Sequence, residues 1–343
     1  MIDSAASSMR LLIVTDTWKP QINGVVRTLA SIREYLDEFG YQVTMITPDR
    51  FYTIPHPGSP DIRLAINVWP KLGGMINELR PNYIFVVTEG PLGIAARCYC
   101  ASRGLHFTSS FTTNFPGYFR LRVGIPELWT YAWLRWFHSP SSAVLVSTES
   151  LRKELRQRKF KNIRSWSRGV DTRLFRPREE LFFVGLRRPI WLFVGRVAVE
   201  KNLDAFLGMS LDGTKVVVGS GPAFETLRRR YPEACFVGEQ HGESLARCYA
   251  DSDVFVFPSK TDTFGIVMIE ALASGIPVAA YPVMGPRDVI ASSKVGVLHT
   301  DLKKAALGAL SLKRSDCRKY ALRFTWEECA ERLHKSLVRN AWN

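Results

Sequence analysis

The chain has 343 residues, 46% of them hydrophobic and 12% aromatic, a composition that excludes a largely disordered protein. At roughly 100–200 residues per domain the length favours two domains. Lys and Arg number 46 against 32 Asp and Glu, for a net charge of +14. Such an excess points to an anionic partner, whether nucleic acid, a nucleotide or a membrane surface, and composition alone does not choose among them.

The first residues, Met1–Arg10, are polar and carry Asp3, which is not the plan of a signal peptide. No apolar stretch approaches the ~18–20 residues that span a bilayer. Six cysteines are sparse and none forms a C-x-x-C pair, so reduced, buried thiols and a cytoplasmic location are expected.

In chain order, short apolar runs occur at Arg10–Thr15, Tyr41–Pro48, Asn82–Thr88, His106–Thr113 and Ala143–Thr148. Each is followed by a turn signal and then a helical stretch. Runs apolar on both faces and separated by helices are what a doubly wound parallel sheet requires, so the fold class is α/β. Between the first two runs, Val25, Val26, Leu29, Ile32 and Leu36 recur at helical spacing and stop at Gly40, as an amphipathic helix with a glycine end does. The preceding turn, Lys19–Arg27, places Asn23 and Gly24 at a helix start, where unpaired N–H groups favour an anion.

Further along, Tyr118–Arg122 and Trp129–Phe137 mix aromatic residues with Arg. Rings beside cations suit a membrane interface. The 3–4 spacing of Trp129, Trp133, Trp136 and Phe137 equally describes the core face of a helix. Residues Arg152–Arg168 then carry eight basic residues and one acidic. The domain boundary is expected near residues 170–185.

The strand grammar restarts at Ile190–Gly195, Lys215–Gly219, Cys235–Gly238, Val254–Pro258, Pro277–Pro282 and Gly296–His299. Two successive domains of this kind imply a cleft, with ligands at the carboxyl ends of the strands. Arg196 and Lys201 follow the first of these runs and are placed to clamp a diphosphate. Gly219 lies in the tight loop Val218–Pro222 after the next run. Asp262 and Glu270 are eight residues apart; with Gly265 as the break, Asp262 belongs to a loop and Glu270 lies about one turn into a helix. The N–H groups around Phe264, Gly265, Ile266 and Val267 then sit at that helix start.

Taken together, Asn23–Leu29, Thr113–Pro116, Ser167–Asp171, Gly195–Asn202, Val218–Pro222, His241–Glu243 and Asp262–Gly275 resemble the retaining glycosyltransferases of family 4. That family has the GT-B fold of two facing Rossmann-like domains. Asp262 to Glu270 matches the family's E-x7-E element, with Asp in the first position. Phe324–Glu327 resembles the start of a final helix that crosses back to the first domain. The implied division is 1–172, 173–325 and 326–343.

The resemblance implies that Arg196 and Lys201 neutralise the diphosphate of a nucleotide-sugar donor. It assigns Glu270 to the ribose, Asp262 and the Phe264–Val267 backbone to the sugar, and Gly24 and Gly219 to donor binding. Asn23 and Thr112 are candidate sugar or acceptor contacts. No metal or other cofactor is expected, because two cations and a helix N-terminus can stabilise a departing phosphate. Thr112 stands where family members often carry a histidine. Threonine exchanges hydrogen bonds with a sugar hydroxyl but holds no charge near neutral pH. His106 and His138 are expected to be structural. The donor is expected to be a UDP- or GDP-linked hexose or hexuronic acid and the acceptor a membrane lipid such as diacylglycerol, at an anionic membrane surface. A soluble or polysaccharide acceptor, and noncatalytic nucleotide-sugar binding, are the competing readings. Nucleic acid is the least favoured partner, and oligomeric state is not indicated.

Overall fold

The computed structural model describes residues 9–19, 21, 23–56, 59–112, 126–180, 182–290 and 294–342. Two segments singled out above, Thr113–Pro116 and Tyr118–Arg122, lie outside the described residues. The chain forms two compact units, one of Met1–Ser167 with Trp326–Asn343 and the other of Arg168–Thr325.

Unit 1 contains strands β1 (Met9–Val14), β2 (Tyr41–Ile46), β3 (Tyr52–His56), β4 (Ser59–Ile66), β5 (Tyr83–Val86), β6 (Thr108–Phe111), β7 (Ala143–Val146) and β8 (Ile163–Ser165). Its helices are α1 (Gly24–Glu38), α2 (Lys71–Leu79), α3 (Pro91–Arg103), α4 (Glu127–His138) and α5 (Glu149–Gln157), followed after unit 2 by the helix Trp326–His334. The six-stranded sheet runs β2-β1-β5-β6-β7-β8, with every pair parallel. Alternate residues of β1 serve two cores. Leu12 and Val14 pack with Ile76, Leu92 and Phe137 on one face, while Leu11 and Ile13 pack with Leu29, Trp166 and Leu333 on the other. Burial on both faces is why β1 reads as a continuous apolar run.

Helix α1 starts where the Asn23 side chain accepts from the N–H groups of Val25 and Val26, replacing bonds that a helix start otherwise lacks. Beyond its end, Gly40 takes φ +84, a conformation that favours glycine.

The antiparallel hairpin β3–β4 and the three-residue β8 are additions to the expected elements. In the hairpin, Tyr52 pairs with Ile66 and Ile54 with Leu64, and Tyr52, Ile54 and Ile66 face solvent. Its alternation therefore does not mark a core.

Unit 2 contains β9 (Ile190–Val194), β10 (Thr214–Val218), β11 (Cys235–Gly238), β12 (Val254–Phe257), β13 (Val278–Ala280) and β14 (Gly296–Leu298). Its helices are α6 (Leu203–Leu207), α7 (Phe224–Arg230), α8 (Gly242–Ala250), α9 (Ile266–Ala273), α10 (Pro286–Val289), α11 (Leu302–Ala309) and α12 (Arg314–Ala321). The sheet is all parallel in the order β11-β10-β9-β12-β13-β14. Leu192 and Val194 pack with Ile269 and Leu272, and Trp191 and Phe193 with Phe206 and Leu302, so this sheet too is covered on both faces. All six cysteines are unpaired. No helix among the described residues is long and apolar enough to cross a membrane.

Candidate functional site

In unit 2 the chain moves outward from β9 through β10 to β11, then returns to lay β12 on the other side of β9. Loops after β9 and β12 therefore diverge, and the gap between them is where ligands bind in open parallel sheets. The residues of interest stand on those two loops. After β9, Gly195 takes φ +149 and turns the chain into half-buried Arg196. Lys201 closes a short 3-10 turn, Val199–Lys201. Asn202 follows in the left-handed region and donates from its side chain to the Pro258 carbonyl at 3.1 Å. This bond ties the β9 loop to the end of β12.

Across the gap, Lys201 Nζ donates to Asp262 Oδ1 at 2.6 Å and Oδ2 at 2.9 Å. Their side chains are 19% and 23% exposed, so the pair is reachable but partly shielded. Gly285, in the loop after β13, has φ +84, and a Cβ there would lie 2.7 Å from the Asp262 carbonyl oxygen. A close backbone approach thus holds the Asp262 loop from a third side.

The Asp262 loop ends at Gly265, left-handed at φ +83, which begins α9. Ile266 and Val267 are half-buried in the first turn, while Phe264 is buried, its ring 6.3 Å from that of Phe324. The phenyl group of Phe264 belongs to the core, so only its backbone is suited to a ligand. Glu270 is the fifth residue of α9 and is 3% exposed. Its Oε2 accepts from the Tyr249 hydroxyl of α8 at 2.9 Å.

Gly219 has a packing role. It takes φ +134, and a Cβ there would lie 2.0 Å from the Gly195 carbonyl oxygen. Gly221 repeats this against the Val197 carbonyl oxygen at 2.4 Å. The Val197 N–H meanwhile donates to the Ser220 carbonyl at 2.7 Å. The two glycine loops lie backbone to backbone, which sets the path that carries Arg196.

In unit 1 the order reverses between β1 and β5, so the corresponding gap lies beyond those strands. Asp16 follows β1. Its carboxylate accepts from the N–H groups of Leu92 (2.7 Å) and Gly93 (3.2 Å) at the start of α3, and from the Thr88 hydroxyl at 2.8 Å. Burial pushes its pKa up to about 6 despite those bonds. Gly90 is required here, because a Cβ would lie 2.5 Å from Asp16 Cγ.

Glu89, beside it, is fully buried, and burial raises its pKa. His138 Nε2 faces its Oε1 at 3.4 Å, and His138 Nδ1 shares a 2.8 Å hydrogen bond with Ser109 Oγ. The expectation of a structural role for His138 thus acquires specific partners. His106 shares a 3.2 Å bond between its Nδ1 and Ser142 Oγ.

The Asn23 amide is engaged locally. Oδ1 caps α1, and Nδ2 donates to Thr17 Oγ1 at 2.8 Å. Gly24 is exposed as the first residue of α1, and Thr112 is half-buried just beyond β6.

Two features were not legible beforehand. Asp16 and Glu89 each stand alone after a strand, and only their positions, not any spacing, could have marked them. Asn202 and Tyr249 position Lys201 and Glu270; Asn202 lies inside the motif quoted for Lys201 but carries no charge to signal a role. Among the described residues, no group of three or more His, Cys, Asp or Glu could hold a metal ion.

On the surface of unit 1, α4 divides its aromatic residues. Phe137 is buried and Trp133 half-buried, but Trp129 and Trp136 are exposed, as is Leu128. The four ring residues therefore do not form one core face. Arg97 stacks on the Trp136 ring at 4.0 Å. Within Arg152–Arg168, Arg152 and Arg158 pair with Glu149 and Glu154, and Arg168 is buried. Lys153, Arg156, Lys159, Lys161 and Arg164 remain exposed.

Comparison with known proteins gives matches in both units. The family model "Glycosyltransferase Family 4" matches residues 22–174, and "Glycosyl transferases group 1" matches residues 188–312. A GDP-mannose-dependent alpha-mannosyltransferase of Mycobacterium tuberculosis is 32% identical over 323 residues, covering 84% of this chain and 83% of its own. Alpha-monoglucosyldiacylglycerol synthase of Streptococcus pneumoniae is 25% identical, with 88% and 78% covered. Among solved structures, sucrose-phosphate synthase from Thermosynechococcus elongatus superposes with a TM-score of 0.77 at 19% identity, covering 95% of this chain and 98% of that one.

Proposed function

The chain belongs to glycosyltransferase family 4 and has the GT-B fold, and from that premise we propose that it moves a hexose or hexuronic acid from a UDP- or GDP-sugar to a membrane-lipid hydroxyl. Nucleotide-sugar glycosyl transfer is the activity of the family; the α-linkage, retained configuration and diacylglycerol-type acceptor are the reading offered here. The observation that carries it is the Lys201–Asp262 contact across the gap between β9 and β12. It supports a reading in which Lys201 is the cation for a diphosphate and Asp262, in the loop before α9, the carboxylate for sugar hydroxyls.

When the donor enters, Lys201 exchanges Asp262 for the diphosphate, and Arg196 adds a second positive charge. The N–H groups at Gly265, Ile266 and Val267 face the developing phosphate charge. Asp262, released, accepts from sugar hydroxyls, and Glu270, steadied by Tyr249, takes the ribose. The bond from the anomeric carbon to the phosphate oxygen breaks with its electron pair going to that oxygen. The acceptor oxygen bonds to the same face of the anomeric carbon, and its proton passes to the leaving phosphate. Two cations and a helix start supply the charge stabilisation, so the proposed reaction needs no metal.

Names of relatives support the lipid and α-linkage readings, since one prints an alpha-mannosyltransferase and another a monoglucosyldiacylglycerol synthase. Exposed Leu128, Trp129 and Trp136, with the cations of α5 and its following loop, suit an anionic membrane surface. On this reading the protein is peripheral at the inner face of the cell membrane. The test is a panel of UDP- and GDP-sugars offered with diacylglycerol vesicles, scored for released nucleotide and for the anomeric proton coupling of the product. An α-glycolipid from an α-donor supports the reading. A β-product, or transfer only to water-soluble sugars, removes it.

A further inference from the structure

The β3–β4 hairpin lies outside both parallel sheets, and its alternation is inverted relative to a strand that covers a core. Directly opposed residues of an antiparallel pair share a face. Tyr52 opposes Ile66, and Ile54 opposes Leu64, so these four side chains lie on one face. Tyr52 is 80% exposed, Ile54 46% and Ile66 42%, and Trp69 just beyond the hairpin is 49% exposed. The other face carries Thr53 opposite Ala65, and Ala65 enters the unit 1 core. Tyr52, Ile54 and Ile66, aligned on one face and turned to solvent, form a contiguous apolar strip of the kind that marks an interaction surface.

Its chemistry favours a lipid surface. Tyr and Trp combine an apolar body with a polar tip, and such residues concentrate at membrane interfaces. Arg50 and Lys71 are exposed beside them, with Lys71 Nζ 5.1 Å from the centre of the Phe51 ring. Over residues 49–71, Arg50, Arg63 and Lys71 outnumber Asp49 and Asp61, in a chain of net charge +14. Ala65 of β4 and Phe137 of α4 belong to one core cluster, so hairpin and helix both pack on the same face of the unit 1 sheet.

We propose that the outward face of the β3–β4 hairpin, with Trp69, docks unit 1 on an anionic bilayer as a second contact in addition to α4. This rests on the membrane reading above but assigns it to residues that the transfer chemistry does not use. Tyr52, Ile54, Ile66 and Trp69 insert at headgroup depth, while Arg50 and Lys71 meet lipid phosphates.

The test is flotation of the full chain with vesicles of phosphatidylcholine plus phosphatidylglycerol, against vesicles of phosphatidylcholine alone. The unaltered chain is expected to float with the anionic vesicles. Tyr52→Ser combined with Trp69→Ser is expected to weaken that binding on the order of tenfold, and Arg50→Ser to weaken it only on anionic vesicles. Both variants keep the melting temperature and the rate of nucleotide release with a detergent-dispersed acceptor, since they change exposed side chains that the transfer chemistry does not use. Undiminished flotation of the double variant overturns the proposal. So does failure of the unaltered chain to float, or a concentration-dependent dimer that the same substitutions disperse, which would assign the face to a second copy. Vesicle binding without any nucleotide release would leave the docking intact and remove the transfer reading instead.

Discussion

Lys201 and Asp262 meet at 2.6 Å although 61 residues apart in sequence, joined across the one place in the unit 2 sheet where the strand order reverses. Each neutralises the other, so neither charge is buried alone; on the proposed function Lys201 is the cation for a diphosphate and Asp262 the carboxylate for sugar hydroxyls. This position has consequences that separate catalysis from folding.

Lys201→Ala is expected to lower kcat/KM for the donor by ~100–1,000-fold, the scale of losing one stabilising group at a developing negative charge. Because the pair is partly exposed, the same change costs only about 1 kcal/mol of stability. Steady-state nucleotide release and thermal melting of the one variant check both halves. A large drop in melting temperature with little loss of rate would assign the pair to structure.

Glu270 permits a similar separation. Glu270→Ala removes the acceptor for the Tyr249 hydroxyl in a buried setting, a loss of ~1–3 kcal/mol. Glu270→Gln keeps an acceptor there and is expected to melt near the unaltered chain. Both variants are expected to raise KM for the donor, because the charge that the proposed function assigns to the ribose is gone in each. If only the alanine variant raised KM, the ribose contact would be unsupported.

The Gly219 position is a test of fold alone. Gly219→Ala puts a Cβ 2.0 Å from the Gly195 carbonyl oxygen at a φ of +134, and backbone strain of this kind costs about 1–3 kcal/mol before the clash is added. Gly104→Ala, also at positive φ but with nothing within 4 Å, serves as the control for strain without a clash. Chemical denaturation is expected to show the larger loss at Gly219.

Asp16 gives a pH dependence. Its folded pKa, about 6, lies above the ordinary 3.8, so the folded chain holds this proton more tightly than the unfolded chain does. The stability it contributes is complete below about pH 4 and is lost as pH rises through about 6, a change on the order of 3 kcal/mol. The urea midpoint of the unaltered chain should therefore fall relative to Asp16→Asn between pH 4 and pH 7. Parallel midpoints across that range would contradict the assignment.

What was legible in the sequence follows from how each element is buried. Strands such as β1 and β9 are covered on both faces, so Leu11–Val14 and Ile190–Val194 stand out as unbroken apolar runs. Lys201 and Asp262 were legible as charged residues placed just past such runs, and the glycines beside them mark turns. The β3–β4 hairpin was not, because its apolar residues face outward and its inward face mixes Thr53 with Ala65. Nor were Asp16 and Glu89: Asp16 is bonded to Thr88 across 72 residues, and their nearness arises only when the crossover lays β5 beside β1. The four ring residues of α4 show the same limit, since helical spacing alone does not say which side of a helix meets the core.

On the proposed function the gap between β9 and β12 turns over a nucleotide-sugar. The most direct measurement is nucleotide release from a panel of UDP- and GDP-linked hexoses and hexuronic acids, with diacylglycerol vesicles, by the unaltered chain and by Lys201→Ala. Release is expected from at least one donor, dependent on the lipid and nearly abolished in the variant. Tight nucleotide binding with no release from any donor, or release that Lys201→Ala leaves unchanged, would contradict it.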